Sequence, residues 1–213
     1  MTRAAALTAA LGALLAASSA SAQNPVPAAF TVISPIFGQL VAFSMPQAFV
    51  TVFENTKGTN YIREAVLKGE TVDDWTQMIT VTGAKGTAAN PKVSPESFAS
   101  SMAGGFKSAC PDSFTAKGFG PVKFGDQDAY VAVASCGRVE SSADKHSETA
   151  LIVTVKGNSD YYTLQWAERA SAASKNAINE AKWQARLRQL KPIRICPIQP
   201  GERAPYPSCA SKN

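Results

Sequence analysis

Residues 60–82 constrain the fold more than any other stretch, because they carry a strand, a turn and a helix signal in succession. Asn60 to Val66 reads as a strand, and Gly69 follows as a turn residue. Thr71 stands three residues before Asp74, the spacing at which a hydroxyl caps a first helical turn while the carboxylate reaches back. Asp73 and Asp74 would also meet the positive end of the helix dipole. Val72, Trp75, Met78 and Ile79 then recur at helical spacing, which predicts an amphipathic helix over about 72–80.

The first residues predict export. Met-Thr-Arg leads into a run rich in alanine and leucine from Ala4 to Ala17, closed by Ala20-Ser21-Ala22. A basic start, a short apolar stretch and a small-x-small cleavage site define a secretory signal peptide over 1–22, too short for a membrane span. No cysteine follows the expected cut to take a lipid. The periplasm of a bacterial envelope is the expected compartment, with release to the extracellular medium as the alternative, and no transmembrane segment is expected once the signal is removed.

Four cysteines in an exported chain favour disulfides over thiols or metal ligands. Three pairings are possible; Cys110–Cys136 and Cys196–Cys209 are the expected pair of bridges, with both structural. The second encloses a tail with Pro197, Pro200, Gly201, Pro205 and Pro207, and closing such a loop contributes about 3 kcal/mol.

Residues 23–37, with Pro25, Pro27 and Pro35 and no charge, read as an extended N-terminal arm. The uncharged stretch 28–53 is broken by Pro35, Gly38 and Pro46, so strands at Leu40–Ser44 and Ala48–Glu54 fit it better than a membrane span. A hairpin turn at 55–58 leads to the strand at 60–66, and residues 83–93 read as a polar loop. Ser94-Pro95-Glu96 opens a second helix, with Phe98, Met102 and Phe106 on its buried side and Pro111 at its end. Two strands fit 113–139, a polar loop follows at 140–147, and a strand is expected at 149–156. In the return strand 161–168, Tyr162, Leu164 and Trp166 alternate with Thr163, Gln165 and Ala167. A last helix is expected over 176–190. Its Trp183, Leu187 and Leu190 face is expected to pack inward, and the opposite Ala177, Ala181 and Ala185 face is the other candidate for a packing surface.

The sum is an α+β domain over 38–195, an antiparallel sheet of about six or seven strands packed by about three helices, followed by a disulfide-closed tail at 196–213. The order of elements resembles the PsbP-like fold. The features that carry the likeness over roughly 38–195 are the Phe43-Ser44-Met45-Pro46 strand end, two helices before the main meander, and the C-terminal helix. The resemblance implies an accessory or binding role rather than catalysis, and it carries no functional residue over.

The motifs of common chemistries are missing. His146 is the single histidine and falls in the polar loop, with Asp144 and Glu148 beside it and no Gly-x-Ser-x-Gly elbow anywhere. Ser142 and Lys145 match Ser-x-x-Lys without that family's companion motifs, a chance spacing. Asp126 and Asp128 lack the glycine and distal glutamate of a calcium loop, and the glycines match neither a P-loop nor a dinucleotide fingerprint. No catalytic residue, cofactor or metal is expected, although a glycosidase pair of carboxylates needs no proximity in sequence.

Charge is uneven: residues 169–213 hold nine basic and two acidic residues. Lys182, Arg186, Arg188, Lys191 and Arg194, on or just beyond the last helix, form the candidate partner surface. It would meet an envelope protein or an anionic membrane surface. Nucleic acid would suit the charge but not the compartment. The expected function is therefore a periplasmic, non-catalytic accessory or binding protein. An envelope hydrolase using His146 and a secreted host-contact factor are the alternatives.

Overall fold

A computed structural model describes residues 28–140 and 145–210. The expected signal segment, Pro25 and Pro27 of the arm, and Ser142 and Asp144 lie outside the described residues. The α+β class expected from the sequence is the class observed. The described strands fall into two antiparallel sheets, of three and seven strands, rather than one.

The small sheet is built from β1 (Ala29–Ile36), β2 (Gln39–Pro46) and, far along the chain, β10 (Arg194–Pro197), in the order β1-β2-β10. The stretch read as an arm is thus a strand from Ala29 onward, turning tightly into β2 at Phe37-Gly38. The large sheet comprises β3 (Phe49–Lys57), β4 (Asn60–Leu67), β5 (Gln77–Ala84), β6 (Phe114–Phe124), β7 (Gln127–Cys136), β8 (His146–Lys156) and β9 (Tyr161–Ser171). Its strand order is β3-β4-β5-β9-β8-β7-β6.

β5 stands where the helix over 72–80 was expected. The Thr71 hydroxyl does accept a hydrogen bond from the Asp74 N–H at 3.1 Å, but the Thr71 N–H donates back to the Asp74 carbonyl at 2.9 Å. The pair closes a turn instead of opening a helix. From Gln77 onward Ile79, Thr80, Val81 and Thr82 are β-branched and fit a pleated surface better than a helix. Pairing with β4 on one side and β9 on the other satisfies the backbone at every step.

One face of the large sheet packs on the small sheet. Val41 and Phe43 of β2 meet Ile79, Val81, Leu151 and Leu164 in a single core. α2 (Glu180–Leu190), capped by the Asn179 side chain accepting from the Lys182 N–H, buries Trp183, Leu187 and Leu190 in the same core. The Trp183 face is therefore the inward one. β2 is buried along nearly its whole length because the tail covers its other side: Leu40 and Ala42 pack with Cys209, Cys196 and Tyr206. Burial on both faces accounts for the missing charges over this stretch. Gly83 marks the close approach of the sheets, since a β-carbon there would lie 2.7 Å from Ile36 Cγ2.

The opposite face carries α1 (Pro95–Ala109). Ser94 caps it, with the Ser97 N–H donating to Ser94 Oγ at 3.1 Å, and Pro95 opens the first turn as expected. Ala99, Met102 and Phe106 pack on Ala134, Ala150 and Ile152, and Phe98 stacks on Tyr161 at 4.8 Å between ring centroids.

Cysteines 110 and 136 are bridged, joining the end of α1 to β7, and Cys196 is bridged to Cys209. These are the expected pairings. The second closes a loop of 13 residues' separation over the small sheet. Replacing Cys196 and Cys209 by alanine is expected to lower stability by about 3 kcal/mol, read as an earlier midpoint in urea unfolding. An unchanged midpoint would show that the tail does not hold β10 in place. Among the described residues no helix is long and apolar enough to cross a membrane.

Candidate functional site

α1 covers only part of its face of the large sheet. It lies chiefly over β6, β7 and β8 and reaches β9 at Tyr161 through Phe98, so the row of β4, β5 and β9 around Glu64, Thr80 and Gln165 is left without a helix directly above it. On that uncovered part the antiparallel register lines up one row of side chains: Phe53 opposite Glu64, Glu64 opposite Thr80, Thr80 opposite Gln165. A second row runs Asn55, Ile62, Thr82, Thr163. The turn that replaced the expected helix carries Val72 and Trp75 to one side, and Phe106 of α1 forms the other. Between them is a groove of about 380 Å³. Its floor holds Ile62, Glu64, Thr80, Thr82 and Gln165.

The groove's electrostatics are simple. Arg169 stacks over the Trp75 ring, 3.8 Å from its centroid, and its Nε donates to Glu148 Oε2 at 3.4 Å. Glu148 and Arg169 thus largely neutralise each other at one end. Glu64 makes no hydrogen bond or ion pair among the described residues, and burial alone pushes its carboxyl above the usual carboxylate range. Thr82 and Thr163 share a hydrogen bond at 2.7 Å.

A carboxyl whose folded pKa lies above its unfolded value disfavours folding once ionised, so its penalty appears as pH rises through that raised value. Glu64→Gln is therefore expected to raise Tm at pH 7 and to leave it unchanged at pH 3, where both side chains are neutral. A lower Tm at pH 7 would mean that the carboxylate has a stabilising partner.

The five basic residues singled out in the sequence are not one free surface. Lys182 Nζ lies 2.5 Å from Glu168 Oε2, and the Arg186 guanidinium 2.7 Å from Oε1 of the same carboxylate. Arg186 also stacks over Trp166 at 4.5 Å from the ring centroid. These two charges converge on one acid and fasten α2 to β9. Arg188 and Lys191 are exposed at the end of α2. Arg194, in β10, donates to the Ala210 carbonyl at 3.1 Å and holds the tail.

His146 opens β8 rather than sitting in a loop, paired with Ser171, and its Nε2 is 3.8 Å from Glu148 Oε2. Lys145 pairs with Glu140 at 2.9 Å. Asp128 accepts from Lys123 Nζ at 2.7 Å, and this ammonium holds the carboxyl below its usual range. Among the described residues no group of three or more His, Cys, Asp or Glu is placed to hold a metal ion.

Sequence reasoning assigned none of the groove residues to a site, although it named Val72, Trp75, Met78, Phe106 and Gln165 as parts of the fold. The available signal was the polar half of the alternation in central strands: Thr80 and Thr82 in β5, and Gln165 in β9. A strand flanked on both sides in a sheet has no reason to keep polar side chains on a face that a helix covers.

Fold and groove together define an α+β domain with one sheet face half uncovered. No protein-family model matches the chain, and no curated protein matches it. Among solved structures, the Ran-binding protein Mog1p of Saccharomyces cerevisiae aligns over 76% of this chain and 93% of its own, with 7% identity and a TM-score of 0.46. LpqN of Mycobacterium tuberculosis, described as involved in cell envelope biogenesis, aligns over 80% of this chain and 91% of its own, with 11% identity and a TM-score of 0.39. A protein of Bacteroides thetaiotaomicron aligns over 76% of this chain and 47% of its own, with 13% identity and a TM-score of 0.36. Mog1p and LpqN belong to the Mog1/PsbP-like fold. Likeness at this level gives this chain neither a family nor a function.

Proposed function

We propose that this is an exported, non-catalytic binding protein of the bacterial cell envelope, working in the periplasm, and that its ligand or partner seats in the groove over β4, β5 and β9. The observation that carries the reading is the lateral position of α1. It leaves a concave, partly apolar site with a few polar groups that the fold itself does not use. The two disulfides and the leader-like residues 1–22 support export.

Complementation separates binding from hydrolysis. In cells lacking the gene, a His146→Ala chain is expected to restore the phenotype fully. A Thr82→Trp chain, whose new ring fills the groove, is expected to fail while accumulating at the wild-type level. Failure of His146→Ala with success of Thr82→Trp would favour the hydrolase. A second reading places an envelope partner or anionic lipid at the basic end of α2, favoured by the exposure of Arg188 and Lys191. It predicts loss of function in an Arg188→Glu/Lys191→Glu chain instead.

A further inference from the structure

We infer that the groove takes a primary ammonium group carried on an apolar body. This inference rests on the groove being the binding site, and adds what chemistry it selects. Three side chains lie side by side across adjacent strands: Glu64 on β4, Thr80 on β5 and Gln165 on β9. Directly paired positions have β-carbons about 4.5–5.5 Å apart, so one small group can reach all three. Each offers an oxygen acceptor, and none is engaged by another described side chain. An ammonium carries three N–H donors and no acceptor, which matches three convergent oxygens.

Charge points the same way. The groove's ionisable lining consists of Glu64, Glu148 and Arg169, and the last two are paired with each other, so the uncompensated charge is the Glu64 carboxylate. An anionic ligand would be repelled by it, and a neutral one would leave it desolvated without a partner. An ammonium converts it into a charge-assisted hydrogen-bonded pair. Around this row Ile62, Val72, Met78 and Phe106 provide apolar walls. At about 380 Å³ the groove suits a small molecule or a single side-chain-sized group.

The test is an NMR titration of the oxidised, isotopically labelled protein with 2-phenylethylammonium, beside 2-phenylethanol, 3-phenylpropionate and the N-trimethylated amine. The amine is expected to shift the amides of Glu64, Thr80 and Gln165 and to bind at least tenfold tighter than the alcohol. The trimethylated amine, without N–H donors, is expected to bind more weakly than the primary one. Glu64→Gln should erase the preference for amine over alcohol, and Thr80→Val should weaken the amine several-fold while leaving the alcohol unchanged. Equal binding of amine and alcohol, a preference for the carboxylate, or an unaltered amine affinity in Glu64→Gln would overturn the ammonium inference. The groove would still stand as a binding site, because the shifts would still fall there. Should no probe of any charge move these amides, the groove reading falls and the ammonium inference with it.

Discussion

Trp166→Ala is expected to destabilise the fold by about 4 kcal/mol, the loss typical of a large aromatic removed from a packed core. Trp166 is 2% exposed and sits on β9, the strand between the two halves of the large sheet. Phe49 meets its ring edge-on at 5.2 Å between centroids, and its indole N–H donates to Gln77 Oε1 at 3.1 Å. The Arg186 guanidinium covers the ring from α2. Truncation leaves a cavity at the point where β3, β5, β9 and α2 meet, and it frees a cation that was stacked. Urea unfolding reads the effect as a large fall in midpoint, and a thermal scan as a drop of about 8–16 °C. A loss below about 1 kcal/mol would mean that this side of the core repacks around the gap.

The second large effect concerns the junction of the two sheets. Asp160 is 4% exposed at the β8–β9 turn. Its Oδ1 accepts from the Gly86 N–H at 2.7 Å, and its Oδ2 lies 3.2 Å from the Tyr162 hydroxyl. That hydroxyl is also 3.2 Å from the Ile36 carbonyl oxygen at the end of β1, and burial pushes its pKa far up, so it remains a donor. Beside them Gln39 Oε1 accepts from the Asn158 N–H at 2.7 Å, which ties β2 to the same turn. Asp160→Ala removes the charged acceptor of the Gly86 N–H, at an exposed turn residue, and one of the two acceptors of the buried Tyr162 hydroxyl. Its expected cost is about 3 kcal/mol. Asp160→Asn keeps an acceptor oxygen and is expected to cost less. A double-mutant cycle with Tyr162→Phe should show coupling, since both side chains belong to one network. Additive losses would show that Asp160 acts only through Gly86.

Much of this fold is legible along the chain. The alternation at 161–168 is β9 with its inward residues correctly placed, Ser94-Pro95 starts α1, and Trp183, Leu187 and Leu190 mark the buried face of α2. The misreadings have physical causes. Val72, Trp75, Met78 and Ile79 satisfy a helical period, yet four positions are few enough for a turn and a strand to satisfy it together. The Asp74–Thr71 contact occurs in either structure. β1 reads as an arm because its turn places Phe37 at a φ of 53°, a conformation rare for an aromatic residue, so no hairpin signal stands at 37–38. His146 reads as a loop residue because a polar run precedes it, although β8 begins there and pairs with Ser171.

The candidate site was less legible than the fold. Glu64, Thr80 and Gln165 belong to three strands, and their alignment depends on the pairing of Thr80 with Gln165, far along the chain, as well as with Glu64. What makes them a groove is where α1 stops covering the sheet, which is set by its packing on β6, β7 and β8. The basic cluster shows the converse. Five cations close in sequence suggest a surface, but Glu168, on another element, claims Lys182 and Arg186.

The central claim is that the working face lies over β4, β5 and β9. A photoreactive amino acid placed at Thr82, and separately at Arg188, tests it in cells that make the protein. Irradiation followed by mass spectrometry should yield one dominant adduct from position 82, abolished when Ile62 is replaced by Arg, and none specific to position 188. A dominant adduct from position 188 with none from position 82 would move the working face to the basic end of α2 and contradict the account.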